Sequence, residues 1–148
     1  MRVTGLNGFS TIELVVVLAL MGIMSAIALP NWNSLLRGYG LNNSLRQIQS
    51  ELHNIKSRAA AENVSFQLAY SQGAAAYTIQ RDAKALVTRL LPDGTTITKA
   101  GAISFSPRGT ASANRVRLRD SLGACKQIVV SATGRVRVCA PNNCAEDC

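Results

Sequence analysis

Hydrophobic side chains are concentrated near the start of the chain. Residues 9–29 form an apolar run that only five small or polar residues interrupt. Because an α-helix rises about 1.5 Å per residue, roughly twenty such residues cross the ~30 Å hydrocarbon layer of a bilayer. The run therefore predicts a transmembrane helix over residues 9–30.

After Pro30 the apolar residues recur at spacings of three and four. This periodicity buries one stripe of a helix and leaves charged residues on its other faces. Pro30 itself removes a backbone hydrogen bond, so a kink or an opened turn is expected there. The stripe consists of Leu41, Leu45, Ile48, Leu52, Ile55 and Ala59. We expect an amphipathic helix over residues 31–62 that covers a sheet.

Beyond residue 62 the pattern indicates short strands separated by turns. Apolar and polar residues alternate or cluster within short segments, and Gly or Pro separates these segments. The predicted strands lie within residues 64–71, 75–81, 95–99, 102–106, 115–120, 126–131 and 135–139. No repeat or linker divides residues 63–148, so we expect a single head domain. A long helix followed by antiparallel strands predicts an α+β fold, with the helix packed on the β head.

The first eight residues are short and carry a single positive charge. A secretory signal peptide loses its apolar core on cleavage, whereas a cut between Gly8 and Phe9 would keep it. We therefore expect residues 1–8 to be a leader. Glu13 then lies one turn inside an apolar helix, where burial of a carboxylate without a partner costs free energy. Because residues of this kind usually have a function, we expect Glu13 to have one.

Residues 8–14 read Gly-Phe-Ser-Thr-Ile-Glu-Leu. This motif resembles the leader junction of type IV pilins and pseudopilins, which prepilin peptidase cleaves after the glycine before it methylates the new N-terminus. The resemblance implies cleavage after Gly8, N-methylation of Phe9, and pairing of Glu13 with the α-amino group of a neighbouring subunit. It also implies that Pro30 kinks or locally opens the helix where it leaves the membrane. Snorkelling of Glu13 to the headgroups is the alternative.

Two later segments narrow the resemblance. Residues 102–111 (AISFSPRGTA) and 126–138 (KQIVVSATGRVRV) are similar to the FimT/GspH family of minor pilins and pseudopilins. The likeness covers nearly all of the chain after the leader. It implies a single-pass protein of the bacterial inner membrane, with its head in the periplasm, that later joins other pilins in an extracellular pilus or pseudopilus.

All four cysteines lie between Cys125 and Cys148. An even number in an exported domain favours two disulfides. If Val130 lies opposite Gly134 in a hairpin, Cys125 lies opposite Cys139 at about the Cα separation that a disulfide needs. Of three connectivities we prefer Cys125–Cys139 with Cys144–Cys148. A four-cysteine zinc site is the competitor, but it lacks paired C-x-x-C spacing, so we expect no metal and no cofactor.

Positive charge is concentrated in the second half of the chain. The net charge is +8, and residues 101–139 contain seven Lys or Arg and one acid. Alternation along a strand turns Arg135 and Arg137 outward, and forked guanidinium groups pair well with phosphate oxygens. A second row and its margin consist of Arg115, Arg117, Arg119 and Lys126. This surface predicts DNA binding without sequence preference.

The segment that begins at Gly134 reads Gly-Arg-Val-Arg. It resembles a GRxR element that contacts DNA in FimT-like minor pilins of naturally transformable bacteria, which implies DNA uptake. A GspH-like minor pseudopilin at the tip of a type II secretion pseudopilus is the main alternative, and an ordinary structural pilin is a further one. The arginines would then be a solvated face that discourages aggregation. A single histidine and the lack of common catalytic motifs predict no enzyme.

Overall fold

The computed structural model describes residues 10–92, 94–141 and 144, without the side chains of residues 28–38. One helix, α1, spans Thr11–Glu62, and eight strands follow it in the described part of the chain. The α+β prediction is confirmed, because an N-terminal helix packs on antiparallel sheets. The chain divides into two units, residues 1–36 and 37–148. The predicted processing residues Gly8 and Phe9 lie outside the described residues.

The first unit contains the start of α1. Ser10 precedes the helix, and its carbonyl oxygen accepts hydrogen bonds from the Glu13 and Leu14 amides at 3.0 and 3.2 Å. The large apolar side chains between Ile12 and Ile27 are exposed. Within the residues that the structure describes, no helix is both long and apolar enough to cross a membrane.

The second unit contains two four-stranded antiparallel sheets. The strands are β1 (Phe66–Tyr70), β2 (Ala76–Arg81), β3 (Lys84–Leu90), β4 (Thr95–Ile97), β5 (Gly101–Phe105), β6 (Asn114–Asp120), β7 (Cys125–Val130) and β8 (Val136–Cys139). The first sheet has the order β3-β2-β1-β5, and the second has the order β4-β6-β7-β8. Each of the predicted strand segments overlaps one of these strands.

The core of this unit joins α1 to both sheets. All six members of the predicted helical stripe, from Leu41 to Ala59, are buried. The strands contribute alternate side chains to the same cluster, among them Phe66, Leu68, Tyr77, Ile103, Phe105, Val116, Leu118 and Ile128. Full burial of one large apolar side chain stabilises a fold by roughly 1.5–3 kcal/mol. The helix therefore fixes one face of each sheet and leaves the opposite face of the second sheet for charged residues.

Strand β3 is the element that the sequence pattern did not predict. Every residue from Lys84 to Leu90 is exposed, so burial imposes no alternation on this edge strand. The turn before it has positive φ at both Asp82 (49°) and Ala83 (66°). This geometry is typical of type I′ hairpins, which usually contain Asn-Gly or Asp-Gly. With alanine in place of glycine, the turn carries no strong sequence signal.

Candidate nucleic-acid interface

The β7–β8 hairpin differs in register from the predicted one. Val130 pairs with Val136 rather than with Gly134. The loop between β7 and β8 is longer than expected, because the Ser131 amide donates a hydrogen bond to the Arg135 carbonyl oxygen at 3.0 Å. Gly134 lies inside the loop with φ of 72°, a left-handed conformation that favours glycine. A register change of two residues leaves the side chains of β8 on their predicted faces, since side chains alternate with a period of two. Arg135 was predicted to lie on this strand, but it lies in the loop before β8.

The new register makes the predicted Cys125–Cys139 disulfide wrong. Cys139 lies opposite Gln127, so Cys125 extends beyond the end of β8. Cys125 instead forms a disulfide with Cys144, at a Cα–Cα distance of 5.4 Å, which also excludes the predicted Cys144–Cys148 bond. Cys139 is disulfide-bonded as well, whereas Cys148 lies outside the described residues. Sulfurs held in disulfides cannot act as the thiolate ligands of a zinc site.

The structure brings Arg137 next to the second arginine row on the outer face of the second sheet. Val129 pairs with Arg115 on β6 and with Arg137 on β8. Neighbouring strands are about 4.8 Å apart, so the Cα atoms of these two arginines lie about 10 Å apart. Arg119 and Arg137 are exposed, and Arg115 and Arg117 are partly buried. We call this surface, with its four arginines, the arginine face.

Lys126 does not belong to the arginine face. It pairs with Leu118, whose side chain is buried in the core, so Lys126 projects from the opposite side of the sheet. There its Nζ donates a hydrogen bond to Asn42 Oδ1 on α1. The predicted place of Lys126 at the margin of the arginines is wrong, because Lys126 shares the alternation of Ile128 and not that of Val129.

Two depressions flank Val129 on the arginine face. The larger has a volume of about 390 Å³ and is lined by Lys99, Ala113, Asn114, Arg115, Arg117, Val129, Val130 and Ser131. The smaller, of about 170 Å³, is lined by Val129, Arg137, Val138 and Cys139. Cationic side chains therefore border both sides of Val129. Gln127, which lies on the same face between Arg117 and Cys139, is fully buried.

The described strands of the second sheet contain few acids. In the described strands of the second sheet, Asp120 is the only acid. Its Oδ1 accepts hydrogen bonds from the Leu122 and Ala124 amides at 2.9 and 2.8 Å, so it closes the β6–β7 turn. A face lined by one sign of charge raises the local concentration of oppositely charged ligands.

Tyr70 fixes the backbone of β6 behind the arginines, a role that the sequence did not indicate. Its hydroxyl donates a hydrogen bond to the Arg115 carbonyl oxygen at 2.8 Å and so links the two sheets. Burial raises the pKa of Tyr70 to about 12. A Cβ at position 101 would lie 2.8 Å from the same hydroxyl oxygen. Glycine at this position therefore leaves room for the Tyr70 ring.

Residues 131–135, which we call the arginine loop, are supported by contacts of Gly134 with α1 and with Gly109. Lys56 Nζ on α1 donates a hydrogen bond to the Gly134 carbonyl oxygen at 2.9 Å. A Cβ at position 134 would overlap the Gly109 carbonyl oxygen. The sequence pattern places Lys56 off the buried stripe, and a lysine on a helix carries no signal of such a contact.

The described fold is a helix packed on two antiparallel sheets, with a disulfide between Cys125 and Cys144. A profile of the family described as type II transport protein GspH matches residues 44–134. The match covers more than half of the chain, and the chain belongs to this family. The predicted FimT/GspH-type family membership is thereby confirmed.

Solved structures show the same fold. The minor pseudopilin EpsH from the type 2 secretion system of Vibrio cholerae aligns with a TM-score of 0.59 at 11% identity, over 70% of this chain and 98% of that chain. The type IV minor pilin FimU of Pseudomonas aeruginosa aligns with a TM-score of 0.54 at 15% identity, over 70% of this chain and 99% of that chain. No curated protein matches the sequence significantly. The similar structures are thus a pseudopilin and a pilin.

Proposed function

We propose that this chain is a minor subunit of a type IV pilus whose head binds extracellular DNA for uptake. The observation that carries the proposal is the convergence of arginines on one surface. Arg115 and Arg137 flank Val129, the exposed Arg119 lies on the same face, and the exposed Arg135 closes the adjoining loop. Guanidinium forks bind phosphate oxygens in a planar, bidentate manner.

The geometry favours contacts to the DNA backbone over contacts to bases. Phosphate contacts position a protein on DNA but carry no sequence information. The candidate cations lie on strands and a loop, and in the second unit α1 uses its apolar stripe for the core. Binding should therefore show little sequence preference, and it should be weak at physiological salt because few phosphates are neutralised per head.

A direct test uses the full-length chain purified in detergent and two fluorescent duplexes of unrelated sequence. We expect both duplexes to bind with similar affinity at low salt, and unlabelled DNA of either sequence to displace them. Fluorescence anisotropy measures both results. If the chain binds neither duplex at low salt, the DNA-binding proposal is wrong.

A structural subunit of a type II secretion pseudopilus is the second candidate. The family description names type II transport, and EpsH is a minor pseudopilin of such a system. Partial burial of Arg115 and Arg117 also leaves fewer fully exposed cations than the sequence suggests. Under this candidate the arginine face is solvated surface, and loss of the chain impairs secretion without affecting DNA binding.

The proposal includes processing by prepilin peptidase and single-pass insertion of residues 9–30 in the inner membrane before assembly. Glu13 lies in the first turn of α1, where a carboxylate in apolar surroundings needs a cationic partner. Cleavage after Gly8 would supply one as the α-amino group of Phe9 in a neighbouring subunit. We expect Glu13→Ala to be processed normally but to be lost from filaments, and Glu13→Asp to retain partial incorporation.

Mass spectrometry of the membrane-bound protein and immunoblots of sheared filaments measure these two steps separately. Normal incorporation of Glu13→Ala would contradict the pairing. An intact Met1 on the wild-type chain in filaments would contradict the leader.

A further inference from the structure

We infer that the DNA site extends to a second segment, the turn Ser106–Gly109, and that Arg108 on this turn contacts phosphate together with Arg135. The inference rests on the proposed function and adds a contact residue to it. The turn is far from the arginine loop in sequence, but the two segments touch in the structure.

Backbone contacts join the turn to the arginine loop. The Ala111 amide donates a hydrogen bond to the Ala132 carbonyl oxygen at 2.9 Å. The Gly109 carbonyl oxygen occupies the space that a Cβ of Gly134 would need. Gly134 is buried as a result, and Lys56 supports it from α1. The two segments therefore present their arginines as one surface.

The turn holds Arg108 at its tip. The Gly109 amide donates a hydrogen bond to the Ser106 carbonyl oxygen at 3.0 Å, and the Ser106 amide donates to the Thr110 carbonyl oxygen at 2.9 Å. Pro107 fixes its own φ and suits the second position of such a turn. Arg108 occupies the third position, and its side chain is exposed.

Distance and charge both point to a shared anionic ligand. Standard backbone dimensions and the contact between the glycines place the Cα atoms of Arg108 and Arg135 within about 14 Å of each other. Long arginine side chains at that distance reach several phosphates of one strand, which repeat about every 3.4 Å along the duplex axis. Neither residues 106–111 nor residues 131–135 contain an acid, so within these segments the cations have no carboxylate to neutralise them.

The test compares four single variants of the full-length chain in detergent by anisotropy with a fluorescent duplex. We expect Arg108→Gln to weaken binding roughly threefold to tenfold and to lower the log–log salt slope by about 0.9, the value for one phosphate, as Arg135→Gln does. Arg89→Gln removes the same charge from an exposed position of β3 in the first sheet and should leave the slope unchanged. Arg108→Lys keeps the charge and should restore the slope.

The outcomes separate this inference from the proposed function. Binding by the wild type, with Arg108→Gln behaving like Arg89→Gln, overturns the role of Arg108 and leaves the arginine face intact as the site. Failure of the wild type to bind overturns both. Circular dichroism melts of each variant show whether the fold is retained, and Arg108→Lys decides the question if Arg108→Gln does not fold.

Discussion

Replacement of Gly134 by alanine is expected to destabilise the head by about 3 kcal/mol and to weaken DNA binding with it. Two costs combine at this position. A side chain at φ of 72° costs about 1–2 kcal/mol. The new Cβ would also overlap the Gly109 carbonyl oxygen, and relief of such overpacking costs about 1–3 kcal/mol because backbone must move.

A matched variant separates these costs. Gly73 has φ of 76°, but a Cβ there would meet nothing within 4 Å. Gly73→Ala therefore carries only the conformational cost, and it should lose less stability than Gly134→Ala in urea denaturation. Equal losses in the two variants would mean that the close approach of the arginine loop to Gly109 does not matter for stability.

Simultaneous replacement of Arg135 and Arg137 by glutamine is expected to reduce DNA affinity about tenfold or more at low salt, which corresponds to at least ~1.4 kcal/mol. Both side chains are exposed, and surface substitutions usually change stability by less than about 0.5 kcal/mol. The thermal melt should therefore stay unchanged while gel shifts weaken. The transformation frequency of cells that carry this variant should fall in parallel.

A double variant of the first sheet is the control for overall charge. Lys84→Gln with Arg89→Gln removes the same two charges from exposed positions of β3. If binding depends on the arginine face and loop, this control should bind almost as well as the wild type. An equal loss in both double variants would show that net charge, rather than this surface, determines binding.

The features that follow from periodicity could be predicted from the sequence. The helical stripe from Leu41 to Ala59 was predicted in full, because a period of 3.6 residues decides which side chains face the core. The outward orientation of Arg137 was also predictable. A change of two residues in register preserves it, whereas a change of one would have reversed it.

The features that depend on loop closure or on distant segments could not be predicted in this way. The disulfide partner of Cys125 changed because the arginine loop closes at Ser131 and Arg135. The orientation of Lys126 is an exception, because the alternation of its own strand already indicated that its side chain faces α1. The contact between Gly109 and Gly134 joins residues far apart in sequence, and neither glycine alone predicts its partner.

The salt dependence of DNA binding by the full-length wild-type chain tests the central claim most directly. Binding through a few arginine–phosphate contacts predicts a straight line of log affinity against log salt, with a slope of about −2 to −5, at ~0.9 for each phosphate neutralised. The slope should be the same for duplexes of unrelated sequence. No binding at the lowest salt, or an affinity that does not change with salt, would contradict the claim that this surface binds the DNA backbone.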